Sequence, residues 1–187
     1  MDIVQRRVRE GVIFLIAFGL TIPAANWMIG HVGTTCVPNG PCLVPVAPGL
    51  LAPSGVVMIG AALVLRDLVQ RRLGAGISAL AVLAGAAISA LLAPPSLVVA
   101  SAAAFLLSEF ADYVVYTPLA RRRLVAAVVA SSLVGLVVDS IVFLWLAFGS
   151  LEFLAGQIVG KAWMVLLSIP FVVYLRRRDE RLGLTAA

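Results

Sequence analysis

Four ionisable side chains interrupt long apolar runs in this 187-residue sequence: Glu109, Asp112, Asp139 and Lys161. A charge at the centre of a membrane helix costs about 2.5–3.5 kcal/mol even on a lenient insertion scale, so such residues face a bundle interior or an aqueous cavity. Glu109 and Asp112 are three residues apart and share a helix face. Two carboxylates on one face require a proton, a cationic partner or a ligand. At the helical rise, Asp139 and Lys161 each fall a few residues to the outer side of their helix centres, where they can meet as an ion pair. Glu109 falls just to the inner side of its own centre, and Asp112 lies about one turn deeper. Two readings of these residues remain open. The Asp139–Lys161 pair is a staple between helices, or all four residues line one polar pocket. Gln157, one turn before Lys161, would join that pocket, and Asn26 would reach it from the outer part of the first apolar run.

The elements that must position these residues are membrane helices. The chain is 62% hydrophobic and only 12% charged, with a mean hydropathy of +1.09. A soluble domain carries about twice that share of charge. A hydrocarbon core takes about 20 apolar residues per helical span. Six runs meet this: Gly11 to Ile29, Gly49 to Leu65, Gly74 to Leu92, Ser96 to Leu119, Leu124 to Phe148 and Phe153 to Leu175. The runs are too long for the short alternating strands of a β-barrel. The expected fold is therefore all-α, a single transmembrane domain over residues 1–187. Pro38, Asn39, Gly40, Pro41 and Pro45 break one connector, and Pro94-Pro95 breaks another. Span three carries Ser78, Ala81, Gly85 and Ser89 on one face, a small-residue stripe that lets helices approach closely.

The net charge of +5 reflects topology rather than nucleic-acid binding. The arginines stand before span one and after spans two, four and six. Connectors 30–48, 93–95 and 149–152 contain no Lys or Arg. All thirteen arginines are thus expected on one side, which the positive-inside rule makes cytoplasmic, with both termini inside. The basic start, apolar stretch and Ala24-Ala25 imitate a signal peptide, but the length of span one favours a retained helix. Cys36 and Cys42 fall in the outer connector, where disulfides persist. They are either two independent thiols or a bonded pair closing a small loop, and the outer location favours the pair. His31 is the sole histidine, and no metal site or cofactor is expected. No phosphate-binding Gly-x4-Gly-Lys-Ser/Thr loop and no serine nucleophile elbow is present.

Several stretches, in order, resemble the VUT family, the vitamin-uptake-like queuosine precursor transporters. They are Ala24-Ala25-Asn26-Trp27, then Arg66-Asp67-Leu68-Val69-Gln70-Arg71-Arg72-Leu73-Gly74, then Ser108-Glu109-Phe110-Ala111-Asp112-Tyr113. Ser131-Ser132, Asp139-Ser140-Ile141-Val142-Phe143, Lys161 and Pro170 follow. The likeness spans nearly the whole chain. Two features depart from it: Glu109 stands where that family carries Gln, and the Cys36–Cys42 loop is not general to it. The resemblance implies a six-helix fold similar to the substrate-binding subunits of energy-coupling-factor transporters. It also implies uptake of a 7-deazaguanine such as preQ0 or preQ1 across a prokaryotic inner membrane. A carboxylate can accept the paired N1–H and exocyclic amine of such a base, and aromatic side chains can stack on its ring. Glu109 or Asp112 would then read that edge. Asn26, Gln157 or Lys161 would meet the carbonyl side, and Trp27, Phe105, Tyr113 or Phe143 would stack. The partners expected are a purine-like molecule and the bilayer, with no nucleic acid, and an energising module or a second copy as further candidates. Three functions remain in view. One is a self-sufficient transporter whose buried carboxylates couple uptake to protons. Another is a binding subunit that needs a separate ATPase module. The third is a membrane scaffold or intramembrane enzyme.

Overall fold

The computed structural model describes residues 3–38, 40–92 and 97–183. Asn39, and with it part of the first turn, lies outside the described residues, as does the Pro94-Pro95 break. Six helices account for most of the chain: α1 (Ile3–His31), α2 (Val56–Leu73), α3 (Ala75–Leu92), α4 (Val98–Ala120), α5 (Leu124–Phe148) and α6 (Leu154–Leu182). Five of them, all but α2, are long and apolar enough to cross a membrane. Their outward faces carry Leu20, Leu80, Leu91, Phe110, Trp145 and Leu167, each at least half exposed. Apolar exposure on that scale suits hydrocarbon rather than water.

The second span differs most from the sequence expectation. Its first residues leave the helix and pair as β3 (Leu50–Pro53), in an antiparallel sheet with β2 (Cys42–Ala47) and β1 (Thr35–Cys36). The fold is thus nearly all-helical, with a small sheet in the outer connector. Cys36 and Cys42 face each other across β1 and β2 and are joined as a disulfide. The helix α2 starts later than expected and runs on through Arg66, Asp67, Gln70 and Arg72, all of which are buried. Arg66 and Arg72 therefore do not stand in a solvated cytoplasmic connector. An 18-residue helix bearing Arg66, Asp67, Arg71 and Arg72 is too polar to face lipid. It is covered instead by neighbours, packing against α1, α3, α4, α5 and α6.

Small residues set how closely the helices approach α2 and α6. A Cβ at Gly60 would lie 2.8 Å from the Lys161 carbonyl oxygen, so α2 and α6 cross there backbone to backbone. A Cβ at Gly156 would run into the Leu51 carbonyl, where the sheet lies on the start of α6. Trp163 donates its indole N–H to the Val46 carbonyl at 3.0 Å and fastens the same junction. The small stripe of α3 is buried at Ser78, Gly85 and Ser89, and Gly85 abuts Ile22 of α1 and Phe105 of α4. At the inner end, Arg72 donates to both oxygens of Asp179 at 2.8 and 2.9 Å and to Glu10 at 3.0 Å. Arg178 also donates to Glu10, at 2.5 Å, so one ionic clasp joins α1, α2 and α6.

Gly60→Ala should lower the thermal midpoint of the purified protein, because overpacking a tight backbone crossing costs about 1–3 kcal/mol. Gly19→Ala, on a face with nothing within 4 Å of its Cβ, should leave the midpoint level or raise it slightly. Equal midpoints for the two variants would contradict the close α2–α6 crossing.

Candidate functional site

The intramembrane polar residues sort into two layers. The outer layer surrounds a cavity walled by all six helices and by Pro53 of β3. Its polar lining is Asn26, Ser89, Ser101, Asp139, Gln157 and Lys161, and Phe105 and Phe143 add aromatic faces. The empty space is about 600 Å3 when the open solvent at its mouth is counted, and the enclosed part is far smaller. Every contribution comes from the part of a helix far from the arginine blocks, so the cavity occupies the outer half of the bundle.

Lys161 organises the wall. Its ammonium donates to Asp139 Oδ2, to Ser140 Oγ at 2.8 Å and to Gln157 Oε1 at 2.6 Å. An ammonium has three N–H bonds and no acceptor, so Lys161 is saturated by protein. Gln157 must turn its oxygen to Lys161 and hence its NH2 group elsewhere. Asn26 donates Nδ2 to the Ile22 carbonyl at 3.0 Å, which leaves its own oxygen unused. Among the described residues, no hydrogen bond engages Asp139 Oδ1, Asn26 Oδ1 or Gln157 Nε2. The wall thus offers two acceptors and one two-proton donor. It carries no net charge, because Asp139 and Lys161 cancel.

The inner layer is built on Arg66. Its guanidinium donates Nε to Glu109 Oε2 at 2.9 Å and Nη1 to Asp67 and Gln70, each at 3.0 Å. Nη2 donates to the Glu109 carbonyl at 3.1 Å and to Asp112 Oδ1 at 2.5 Å. Those five bonds match the five N–H donors of arginine. Tyr113 and Tyr116 present their rings to the same cation, with centroids 5.6 and 5.8 Å from Cζ. Ser131 of α5 donates to Asp67 Oδ2 at 2.9 Å, and Gln70 donates to Thr117 at 3.0 Å. Phe105, Glu109 and Asp112 form part of one buried stripe down α4. The cavity floor and the Arg66 cluster are therefore successive turns of a single helix face.

The structure brings together Asn26, Phe105, Asp139, Phe143, Gln157 and Lys161 at the cavity. It does not bring Glu109, Asp112 or Tyr113 there, because Arg66 draws them into the inner layer. Nor does it bring Trp27, which is 58% exposed and stacks on His31. Arg66, Asp67 and Gln70 did not stand out in the sequence as site residues, since an arginine next to Arg71-Arg72 reads as topology. The signal for them was the pair Glu109 and Asp112, which demanded a cation that Lys161, closer to the outer side, could not supply to both pairs.

Residues 89–175 match the family model Vut_1, described as "Putative vitamin uptake transporter". That match is to a transporter. It covers α4, α5 and most of α6, the helices that contribute Glu109, Asp112, Asp139, Gln157 and Lys161. No curated protein and no solved structure matches the chain. Together with the apolar helices, the match, which spans just under half of the chain, supports a multi-pass membrane protein with a role in uptake.

Arg66→Met removes the sole guanidinium among three buried carboxylates. Truncating one member of a buried ion cluster costs about 3–5 kcal/mol, so the variant should be recovered poorly and unfold at lower temperature. Adding Glu109→Gln and Asp112→Asn to Arg66→Met should restore part of the loss. No rescue by the triple variant would mean that the cluster is not balanced in this way.

Proposed function

We propose that the protein takes up a queuosine precursor, a 7-deazaguanine such as preQ0 or preQ1, through the outer cavity. The supporting observation is the set of unengaged atoms on the cavity wall. A guanine-like edge presents two neighbouring N–H donors beside a carbonyl acceptor. Asp139 Oδ1 and Asn26 Oδ1 are acceptors suited to the donors, and Gln157 Nε2 is a donor suited to the carbonyl. Phe105 and Phe143 supply faces for stacking, which is worth about 0.5–1.5 kcal/mol per aromatic pair beyond the area buried. The wall is neutral overall, which suits the uncharged preQ0 better than preQ1, whose aminomethyl group is a cation at neutral pH.

In this reading the edge-reading role expected of Glu109 or Asp112 passes to Asp139. Lys161 positions Asp139 and Gln157 and does not itself touch the ligand, since its three donors are already engaged. The family match to a vitamin uptake transporter supports uptake of a small molecule, the wall chemistry suits a guanine-like edge, and the resemblance to queuosine precursor transporters carries the choice of a deazaguanine.

Purified wild-type protein should bind preQ0 or preQ1 in preference to queuine, guanine and common vitamins in a calorimetric screen. It should also carry the ligand into sealed liposomes with no other protein present. Uptake that begins only when an ATPase module is added would make it a binding subunit, and no binding to any deazaguanine would sink the proposal. Gln157→Leu should weaken binding at least tenfold, as expected when a ligand carbonyl loses its only donor, at about 1.4 kcal/mol. Glu109→Gln should alter binding far less. The opposite ranking of these two variants would return the edge-reading role to Glu109.

A further inference from the structure

We propose that the Arg66 cluster binds a proton, held between the carboxyl groups of Asp67 and Asp112, and that this proton is the ion coupled to uptake. The second half rests on the transport reading above; the first does not.

Charge balance leads to the site. Asp67, Glu109 and Asp112 surround one guanidinium, and all four side chains are at most 2% exposed. One positive charge faces three negative charges, two in excess, in a region with almost no water. The other groups facing the cluster do not supply the deficit. Gln70 from α2, Tyr113 and Tyr116 from α4 and Ser131 from α5 are neutral. On α5 and α6 the outer-layer charges are Asp139 and Lys161, which pair with each other. Helix α3 has no ionisable residue. Arg71, one turn after Asp67 on α2, is held by Asp179, and Glu10 of α1 is engaged by Arg72 and Arg178 at the inner end.

Two further observations locate the proton. Among the described residues Asp112 Oδ2 is buried and meets no donor, although Oδ1 of the same carboxyl group is held by Arg66. Asp67 and Asp112 also sit on the two adjacent terminal nitrogens of one guanidinium, Asp67 on Nη1 and Asp112 on Nη2. Two carboxylates in that position repel, whereas a carboxylic acid and a carboxylate share one strong O–H···O bond. The Tyr116 hydroxyl is a second buried polar atom without a partner beside the same cation, and it can follow a change of charge there. A metal ion fits less well, since the Arg66 guanidinium already occupies the point where the three carboxyl groups converge.

The step balances simply. A proton from the outer water forms one O–H bond with a carboxylate oxygen of the pair, and the excess falls from two negative charges to one. Release to the inner water breaks that bond and restores the starting state. The location suits coupling. Arg66 lies seven residues beyond Ile59, a cavity residue on α2, so the cluster is about 10 Å deeper than that point. On α4, Glu109 follows the cavity residue Phe105 by one turn. A change of charge below the cavity floor is therefore passed through one helix face.

Infrared difference spectroscopy of the wild-type protein in lipid tests the site without any ligand. A protonated carboxylic-acid C=O band should be present at neutral pH, shift in heavy water, and vanish in Asp112→Asn. Asp67→Asn is the second variant should Asp112→Asn fail to fold, and it should remove the same band. No such band in wild type, or a band that survives in the folded variants, overturns the site. Coupling is tested with radiolabelled preQ0 in wild-type proteoliposomes. An inward proton gradient should drive accumulation at least tenfold over equal pH, and a sodium gradient should not. Accumulation driven by sodium alone overturns the coupling. Exchange of internal for external label without any gradient tests the transport reading by itself, so its loss is distinguishable from loss of the proton site.

Discussion

A guanidinium inside a bilayer must find an acceptor for each of its five N–H bonds, because the hydrocarbon offers none. Arg66 meets this demand with groups from α2 and α4 only, and Asp67 then recruits Ser131 of α5. Three helices are thereby fixed in register by one side chain. The same demand explains why α2 sits in the middle of the bundle. A helix that carries Arg66, Asp67, Gln70 and Arg72 on buried positions can cross the membrane only when other helices shield it. The five more apolar helices, with their Leu- and Phe-rich outer faces, supply that shield.

The cavity is a consequence of this arrangement. Polar groups that bond one another draw the helices together at the Arg66 layer, and the Arg72–Asp179–Glu10 clasp does the same at the inner end. Around these layers the core is filled by Leu63, Leu68, Val69, Tyr116, Leu136 and Val172, all nearly inaccessible. At the outer layer the side chains are partly small, with Ala25, Gly55, Ala104 and Ser101 among the lining residues. Space therefore opens there, while a more open hollow at the inner end is lined by Thr117, Pro118, Leu119 and the Arg121–Arg123 block. Asn26, Asp139 and Gln157, which each keep an unengaged polar atom, are among the residues that line that space.

Much of this was legible in the sequence. Leu124 to Phe148 coincides with α5, because a helix of unbroken apolar character between Arg123 and Gly149 has clear limits. The depth estimate separated Asp139 and Lys161 from Glu109 and Asp112, and the structure keeps them in different layers. The second span was misjudged at both ends. Residues 50–53 are apolar enough for a helix but pair as a strand, since Pro45, Pro48 and Pro53 deny the segment helical hydrogen bonds and β2 offers others. Arg66 was assigned to water because arginine blocks mark topology, a rule that concerns loops and fails for an arginine with three carboxylate partners in space. Hydropathy cannot register that partnership, as Glu109 and Asp112 are more than forty residues away.

The two layers also differ in how firmly each cation is held, and that difference bears on what each can do. Lys161 and Asp139 form a neutral pair, with Ser140 and Gln157 completing the shell of the ammonium. Nothing in that shell is in excess, so it serves as a fixed frame from which Asp139 and Gln157 present their second polar atoms to the cavity. The Arg66 shell satisfies its cation equally well but leaves its anions in excess. Under the proposal above, a bound proton relieves part of that excess, and the cluster takes it up and releases it. A fixed frame and an unbalanced cluster are thus stacked along one face of α4. In the proposed reading, binding geometry belongs to the first and proton coupling to the second.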